Sequence, residues 1–280
     1  MLTIAKHALR VLLRSVGLEI RRLPLTGFPE HTYSNLDEQS LIRKYLDQLV
    51  VKSRYCVDIG ASDGVAMSNS FALYKEGWGG IAVECDAGKF SSLAGTYVNF
   101  RNINLAKCTI TPENILPLLS AFDIPEGFGF LTLDIDGYDY FVLDQILTKY
   151  RPTLICAEIN EKIPPPVKFT VKWKPEYTWH GDHFYGQSIS QLHMLCTRHD
   201  YALVELHYNS VFLIPIERSP KHSLTAEEAY RTGYLNRTDR KEKFPWNDNM
   251  EDLLHMQPEQ ALSFIHGFFD KYKGMFDCSI

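Results

Sequence analysis

Residues 55–64 read YCVDIGASDG, and this stretch decides the fold that we expect for the chain. An apolar run around one acid is typical of a buried strand, and Gly60 and Gly64 follow it in a turn of small residues. The next segment predicts a helix that closes at Gly77. Parallel α/β sheets are built from strands that pass through such turns into helices. The stretch therefore predicts the first strand of a parallel sheet, whose carboxyl end can receive a ligand.

The alternation of strand and helix continues to about residue 160. Four more strands are predicted, in the runs GGIAVEC, FRNINLAKCTI, FGFLTLDID and PTLICAEIN. The runs YALVELHYN and VFLIPI follow, and a short hairpin connection at Asn209-Ser210 makes them antiparallel. The expected fold is α/β, with a doubly wound, mostly parallel seven-stranded sheet and an antiparallel last strand.

Three segments are expected along the chain. Residues 1–50 are predicted to be an N-terminal helical segment, 51–217 the sheet domain, and 218–280 a helical C-terminal appendage without strands. The loop 161–186 is unusually long, and long loops in compact domains often have a function.

Composition limits the function. The net charge of -5 argues against a nucleic-acid-binding protein, which would be basic. The six cysteines show no metal-ligand spacing, so we expect reduced thiols and a cytoplasmic protein. Residues 1–24 combine an apolar stripe with basic residues. Two interpretations of this segment stay open: a helix packed on the domain, or peripheral contact with the inner face of a membrane.

The turn after the first strand indicates a cofactor by its spacing. It lacks the G-x-G-x-x-G of dinucleotide sites and the G-K-[ST] of phosphate-binding loops. Glu84 stands at the end of the next predicted strand, 20 residues beyond Gly64. This pattern resembles the first motif of class I S-adenosylmethionine-dependent methyltransferases. The alternative is a structural turn beside a surface glutamate.

The resemblance implies a Rossmann-like methyltransferase fold and a set of cofactor contacts. Gly60, Ser62 and Gly64 would shape the cofactor turn, although the family usually has glycine where this chain has Ser62. Asp58 would lie beneath the methionine end of S-adenosylmethionine, and Glu84 would hold the ribose.

The runs LDIDGYDY and AEIN are the most specific part of the sequence. Strand alternation places Asp134 and Asp136 on one face, and Glu158 and Asn160 repeat this arrangement on the next strand. This half resembles the FkbM-like branch of the methyltransferases, often found near genes for sugars, polysaccharides and natural products. The resemblance covers about residues 55–216.

Three interpretations of these acids stay open. In one, Asp134, Glu158 and Asn160 hold Mg²⁺, with Asp136 behind them. In another, Asp136 or a loop histidine removes a proton from the substrate without a metal. In the third, the acids cap the following helices, with Asp136 capping the helix that begins in GYDY.

The loop segment YTWHGDHFYG is predicted to cover the site. His183 is the preferred histidine base, since imidazole titrates near neutral pH. An apolar wall for a sugar or aromatic acceptor is expected from Tyr177, Trp179 and Tyr185. Three lysines in the same loop form either a solvated face or a phosphate contact: Lys168, Lys172 and Lys174.

Together these features predict a methyltransferase that acts on a hydroxyl of a small molecule. The expected acceptor is a sugar, a nucleotide-sugar or a glycan or natural-product precursor, with a homo-oligomer as a further expectation. The predicted catalytic residues are Asp134, Asp136 and His183. The alternative is a non-catalytic binding or scaffolding protein that keeps the fold. A nicotinamide-dependent oxidoreductase is disfavoured by the glycine spacing.

Overall fold

A seven-stranded sheet forms the centre of the computed structural model, which describes residues 32–280. The strands of the described chain are β1 Tyr55–Ile59, β2 Gly79–Glu84, β3 Ile103–Lys107, β4 Phe130–Leu133, β5 Leu154–Glu158, β6 Lys168–Val171, β7 Tyr201–His207, β8 Ser210–Pro215 and β9 Phe276–Ser279. The large sheet has the order β3-β2-β1-β4-β5-β8-β7, and all of its strands are parallel except β8. The predicted α/β class and the antiparallel last strand of this sheet are confirmed.

Helices cover both faces of this sheet. The α-helices of residues 32–280 are α1 Glu38–Gln48, α2 Phe71–Lys75, α3 Ala87–Tyr97, α4 Ile115–Ala121, α5 Asp139–Leu147, α6 Ile189–Arg198, α7 Ala226–Tyr230, α8 Arg240–Lys243 and α9 Pro258–Phe268, of which α9 packs away from this sheet. Successive β1 residues alternate between two apolar clusters, because side chains of a strand point to opposite faces. Val57 and Ile59 belong to one cluster and Cys56 to the other. The sheet is therefore buried on both sides, as its long apolar strands predict.

The predicted helix in the first residues lies outside the part of the chain that the structure describes. Of the predicted segment 1–50, the structure describes α1. Within residues 32–280, no helix is long and apolar enough to cross a membrane. The six cysteines all carry free thiols.

The prediction that residues 218–280 contain no strand is wrong. Near the C-terminus, β9 pairs antiparallel with β6 of the long loop, from Lys168 opposite Ser279 to Val171 opposite Phe276. Each strand has four residues, and the pair joins segments about a hundred residues apart. Neither run is long enough for alternation to reveal it, so only the tertiary contact identifies these strands.

A third apolar cluster joins the long loop to the C-terminal segment. It contains Phe169 and Phe184 from the loop, and Leu253, Ile265 and Phe269 from the segment. All five side chains are buried. The C-terminal residues thus pack on the loop that was predicted to cover the site.

Two local boundaries differ from the predictions. The hairpin turn consists of Tyr208 and Asn209, because Ser210 already pairs with His207 in β8. The helix after the glycine turn begins only at Phe71, because the Ser68 hydroxyl accepts the amide of Phe71 and holds the preceding residues in turns.

Gly60 allows β1 and β4 to approach each other at their carboxyl ends. Its φ is +93°, and a Cβ atom there would lie 1.8 Å from the carbonyl oxygen of Asp134. The Asp134 amide in turn donates to the carbonyl of Ile59 at 3.0 Å. The glycine is therefore required by the contact between the two strand ends.

We expect Gly60→Ala to lower the free energy of unfolding by at least about 2 kcal/mol more than Gly77→Ala. Gly77 is a matched control, because its φ is +85° and nothing lies within 4 Å of a Cβ built there. Both variants suffer the same backbone strain, but only the first meets the Asp134 carbonyl. Urea denaturation of both variants measures the difference, and equal losses would contradict the proposed contact.

Candidate functional site

A cleft of about 660 Å³ opens at the carboxyl ends of the parallel strands. It is lined by the end of β1, the glycine turn, the ends of β2 and β4, and the loop tip at residues 177–179. Ligands of open α/β sheets bind at this edge. The predicted residues that line the cleft are Asp58, Gly60, Ser62, Glu84, Asp134, Asp136, Tyr177 and Trp179.

Glu84 links the glycine turn to the end of β2. One carboxylate oxygen accepts the amide of Ser62 at 2.9 Å, and the other accepts the amide of Asp86 at 2.7 Å. The side chain is buried, with 6% of its surface exposed. Two backbone amides therefore fix the orientation of Glu84 at the wall of the cleft.

Asp58 and Gly64 support the same half of the cleft in different ways. The Asp58 carboxylate accepts the hydroxyl of Ser70, and burial raises the pKa of Asp58 to about 6. Gly64 is not among the lining residues. A Cβ at Gly64 would lie 2.6 Å from Leu93, so this glycine serves the packing of α3 against the turn.

Three carboxyl groups meet at the ends of β4 and β5. Oxygen atoms of Asp134, Asp136 and Glu158 all lie within 4.8 Å of one another. The Asp134 side chain is accessible from the cleft, although many protein atoms surround it. This burial and the neighbouring Asp136 raise the pKa of Asp134 to about 8. Burial, then the charge of Asp139, raises the pKa of Asp136 to about 6. The cluster therefore keeps protons at neutral pH, and Asp136 ionises before Asp134.

Glu158 pairs with Asp134 at the bottom of this cluster. Burial and the neighbouring Asp134 raise the pKa of Glu158 well above its usual range, since carboxyl oxygens of the two residues lie within 4.8 Å of each other. The side-chain amide of Asn209 donates to the Glu158 carboxyl group at 2.7 Å. Protonation of Glu158 thus reduces the repulsion within the cluster.

Asp139 holds the turn that carries Asp136. Its carboxylate accepts the amide of Ile135 at 2.9 Å and that of Gly137 at 3.0 Å. Asp136 lies between these residues with a φ of +52°, a conformation that aspartate adopts more readily than most residues. The prediction that Asp136 caps this helix is wrong, because Asp139 makes the backbone contacts at its start.

Asn160 is directed at the long loop. Its side-chain nitrogen donates to the carbonyls of His183 and Tyr185, at 2.9 and 3.0 Å. The carboxylates that the structure brings together with Asp134 are Asp136 and Glu158. A divalent cation would therefore find the carboxylates of Asp134, Asp136 and Glu158 close together. The Asn160 nitrogen holds the loop, and its buried side-chain oxygen has no hydrogen-bond partner among the described residues, so Asn160 stays a predicted ligand.

His183 and Tyr185 are absent from the residues that line the cleft. The His183 ring packs 5.7 Å from that of Phe268, and burial lowers its pKa. Tyr185 is buried; its hydroxyl donates to Glu161 at 2.9 Å and accepts from Lys162 at 2.8 Å. Of the groups considered as a base, Asp136 is therefore the one that faces the cleft.

Two of the three loop lysines have partners within the described part of the chain. Lys172 pairs with Asp277 at 2.8 Å, and Lys168 donates to the carbonyl of Ile280 at 3.2 Å. The lysine that does line the cleft is Lys89, whose charge lowers the pKa of Asp136. The sequence analysis did not identify Lys89, since a single lysine in the first turn of a helix has no distinctive pattern.

Two further features have no sequence signal: Asp139, and the buried pair of Glu161 and Lys162, whose charged groups lie 3.2 Å apart. Asp139 is the first residue of its helix, but its carboxylate binds amides of the preceding turn, which helix-capping patterns do not predict. The pair stood in a loop rich in charges, so nothing in the sequence marked it as buried.

Comparisons with known proteins find similar solved structures. No family model matches the chain, and no curated protein matches its sequence. A SAM-dependent methyltransferase from Aquifex aeolicus is 10% identical over 64% of this chain and 90% of its own, with a TM-score of 0.40.

Two further structures are similar in the same way. The N-terminal domain of EvdMO1, with SAH bound, is 10% identical over 76% of this chain and 97% of its own, with a TM-score of 0.44. A precorrin-6y C5,15-methyltransferase from Geobacter metallireducens is 12% identical over 69% and 97%, with a TM-score of 0.37. At these identities the similarities concern the fold, and the activity of this chain is inferred from its own site.

Proposed function

We propose that the chain is an S-adenosylmethionine-dependent methyltransferase that acts on a hydroxyl group of a small, sugar-containing molecule. One observation carries the proposal. A single cleft joins the fixed carboxylate of Glu84 beside the glycine turn to the carboxyl cluster at the ends of β4 and β5. The first half suits a nucleoside with two free ribose hydroxyls, and the second suits a group that must lose a proton.

The part of the cleft proposed for the cofactor offers hydrogen-bond acceptors where the ribose has hydroxyl donors. Both oxygens of Glu84 already accept a backbone amide, and each keeps a further lone pair for a ribose hydroxyl. The motif resemblance in residues 58–64 supports this assignment. The buried Asp58 lies at the methionine end in this arrangement. When bound, the cofactor supplies an electrophilic sulfonium methyl group.

In this reaction the chain has to position the acceptor hydroxyl and to accept its proton. Asp136 would take the proton of the acceptor hydroxyl while the acceptor oxygen receives the methyl group, and S-adenosylhomocysteine would leave as the second product. Asp136 suits this role because its pKa of about 6 leaves it ionised at neutral pH but still basic. The raised pKa values of Asp134 and Glu158 keep protons beside it and so limit the negative charge.

The acceptor is proposed to be a sugar because of the wall opposite the acids. Tyr177 and Trp179 line the cleft, and 38% of the Trp179 surface is exposed. An exposed aromatic face next to carboxylates binds a ring that has both apolar and hydroxylated edges. The FkbM-like features of LDIDGYDY and AEIN favour the same class of acceptor.

A non-catalytic protein with this fold is the second candidate. Such a protein would need neither a group that ionises near pH 6 nor two amides holding Glu84. Calorimetry with S-adenosylmethionine separates the two, with NAD as the control ligand. Absence of binding to the folded protein would overturn the proposal, and tight binding of NAD would favour an oxidoreductase.

We expect Glu84→Ala to weaken S-adenosylmethionine binding by about 1.5–3 kcal/mol, the range for hydrogen bonds to a charged group. Calorimetry on protein shown by circular dichroism to be folded gives the affinity. Glu126→Ala is the control, because Glu126 is an exposed glutamate that precedes β4 at the opposite edge of the sheet. Unchanged affinity in Glu84→Ala would remove Glu84 from the cofactor site.

We expect Asp136→Asn to reduce methyl transfer by about 10²–10⁴-fold, the usual contribution of a general base, with little change in cofactor affinity. In the unchanged protein the rate should rise with pH through about 6, because the ionised form of Asp136 is the active one. The assay follows labelled methyl groups into the metabolites of a small-molecule extract. Asp123→Asn is the control, since Asp123 is exposed and also has a positive φ, of +49°. A rate that is independent of pH from 5 to 8 would exclude this role for Asp136.

Chelation tests whether a metal takes part. Asp134, Asp136 and Glu158 would hold a hard divalent cation such as Mg²⁺, and the cation would make the acceptor hydroxyl more acidic. We expect dialysis against EDTA to leave methyl transfer intact, because Asp136, with a pKa of about 6, is ionised at neutral pH and needs no metal to act as the base. Loss of activity that Mg²⁺ restores would instead assign the cluster to a metal.

A further inference from the structure

The C-terminal segment contacts the loop that forms the acceptor wall. Asp182 lies at the centre of this contact: one carboxylate oxygen accepts the Tyr272 hydroxyl at 2.5 Å and the Lys271 ammonium at 2.9 Å. Its other oxygen accepts the amide of Phe184 at 3.0 Å. Although burial raises it, these hydrogen bonds bring the pKa of Asp182 below its usual range, so the carboxylate stays charged.

Tyr272 also packs against the loop. Its ring stacks on Phe184 with centroids 3.9 Å apart and an interplanar angle of 11°. Phe184 is fully buried in the third apolar cluster, together with residues of α9 and β9. The same tyrosine therefore contacts the loop through its ring and through its hydroxyl.

The segment 182–184 in turn holds the two aromatic residues of the cleft. The Trp179 indole donates to the carbonyl of Asp182 at 2.8 Å, and the Tyr177 hydroxyl donates to the carbonyl of Phe184 at 2.6 Å. Asn160 donates to the neighbouring carbonyls of His183 and Tyr185. The polar groups of Tyr177 and Trp179 are thus bound to backbone carbonyls of residues 182–184. Asn160 and Tyr272 contact the same segment.

We propose that Asp182 and Tyr272 are positioning residues that make the C-terminal segment part of the acceptor site. The inference rests on the proposed function, because it concerns the site of the methyl acceptor. In it, the contact of Asp182 with Tyr272 sets the orientation of Tyr177 and Trp179 over the cleft. Tyr272 touches neither the cleft nor the carboxyl cluster. It acts through Asp182 and Phe184 on the residues that contact the acceptor. The cofactor half, built on β1 and β2, is independent of it.

Two variants test the contact by hydrogen exchange of the amides in residues 177–186. Tyr272→Phe keeps the stacked ring and removes one hydrogen bond, so we expect exchange about fivefold faster, as for a bond worth about 1 kcal/mol. Asp182→Ala removes the carboxylate and all of its bonds, and should accelerate exchange by about tenfold or more. The S-adenosylmethionine dissociation constant should stay within about twofold, because no contact with the cofactor half changes.

The matched control is Tyr208→Phe, which removes the 2.7 Å bond from another tyrosine to Asp239. It should leave exchange in residues 177–186 unchanged. Unchanged exchange in both Tyr272→Phe and Asp182→Ala would overturn the inference, and so would an equal loss of cofactor affinity. A failure of the proposed function would be seen in a different measurement, as absence of S-adenosylmethionine binding by the unmodified protein. In the methyl-transfer assay the variants should raise the KM for the acceptor and not the KM for the cofactor.

Discussion

The crowding of carboxyl groups at the ends of β4 and β5 is the constraint on which the site depends. Oxygen atoms of three acids lie within 4.8 Å of one another, and like charges at that distance repel one another strongly. The pKa values of Asp134 and Glu158 are therefore raised, whereas the charges of Lys89 and Lys162 lower the pKa of Asp136. As a result, the pKa of Asp136 is about 6, below that of Asp134.

The backbone around the cluster is held by the same kind of contact. Asp139 fixes the turn of Asp136 through two amides, and Glu84 joins the glycine turn to the end of β2 through the amides of Ser62 and Asp86. Carboxylates that accept several amides are rigid and well placed for a ligand. The turns after β1 and β4 are thus both held by buried acids, and Gly60 lets the ends of these two neighbouring strands approach each other.

The outer wall of the cleft depends on residues far away in the sequence. The loop of Tyr177 and Trp179 has β6 in its first part, and β6 pairs with β9 at the C-terminus. The contact of Asp182 with Tyr272 extends this connection to the tip of the loop. The C-terminal segment therefore packs against the loop whose tip lines the cleft.

The sequence by itself determined the parallel sheet, the strand ends that carry Asp58, Glu84, Asp134 and Glu158, and the role of the loop tip at Tyr177 and Trp179 as a wall of the cleft. The sheet and its strand ends follow from local periodicity, which places side chains on known faces and at known ends of strands, and the loop tip was expected from its aromatic residues. Tertiary structure decided the rest: that Asp139 holds the turn, that His183 faces Phe268, and that Gly64 packs on α3. The physical reason is that these outcomes depend on which distant segment fills the neighbouring space, and no local pattern records that choice.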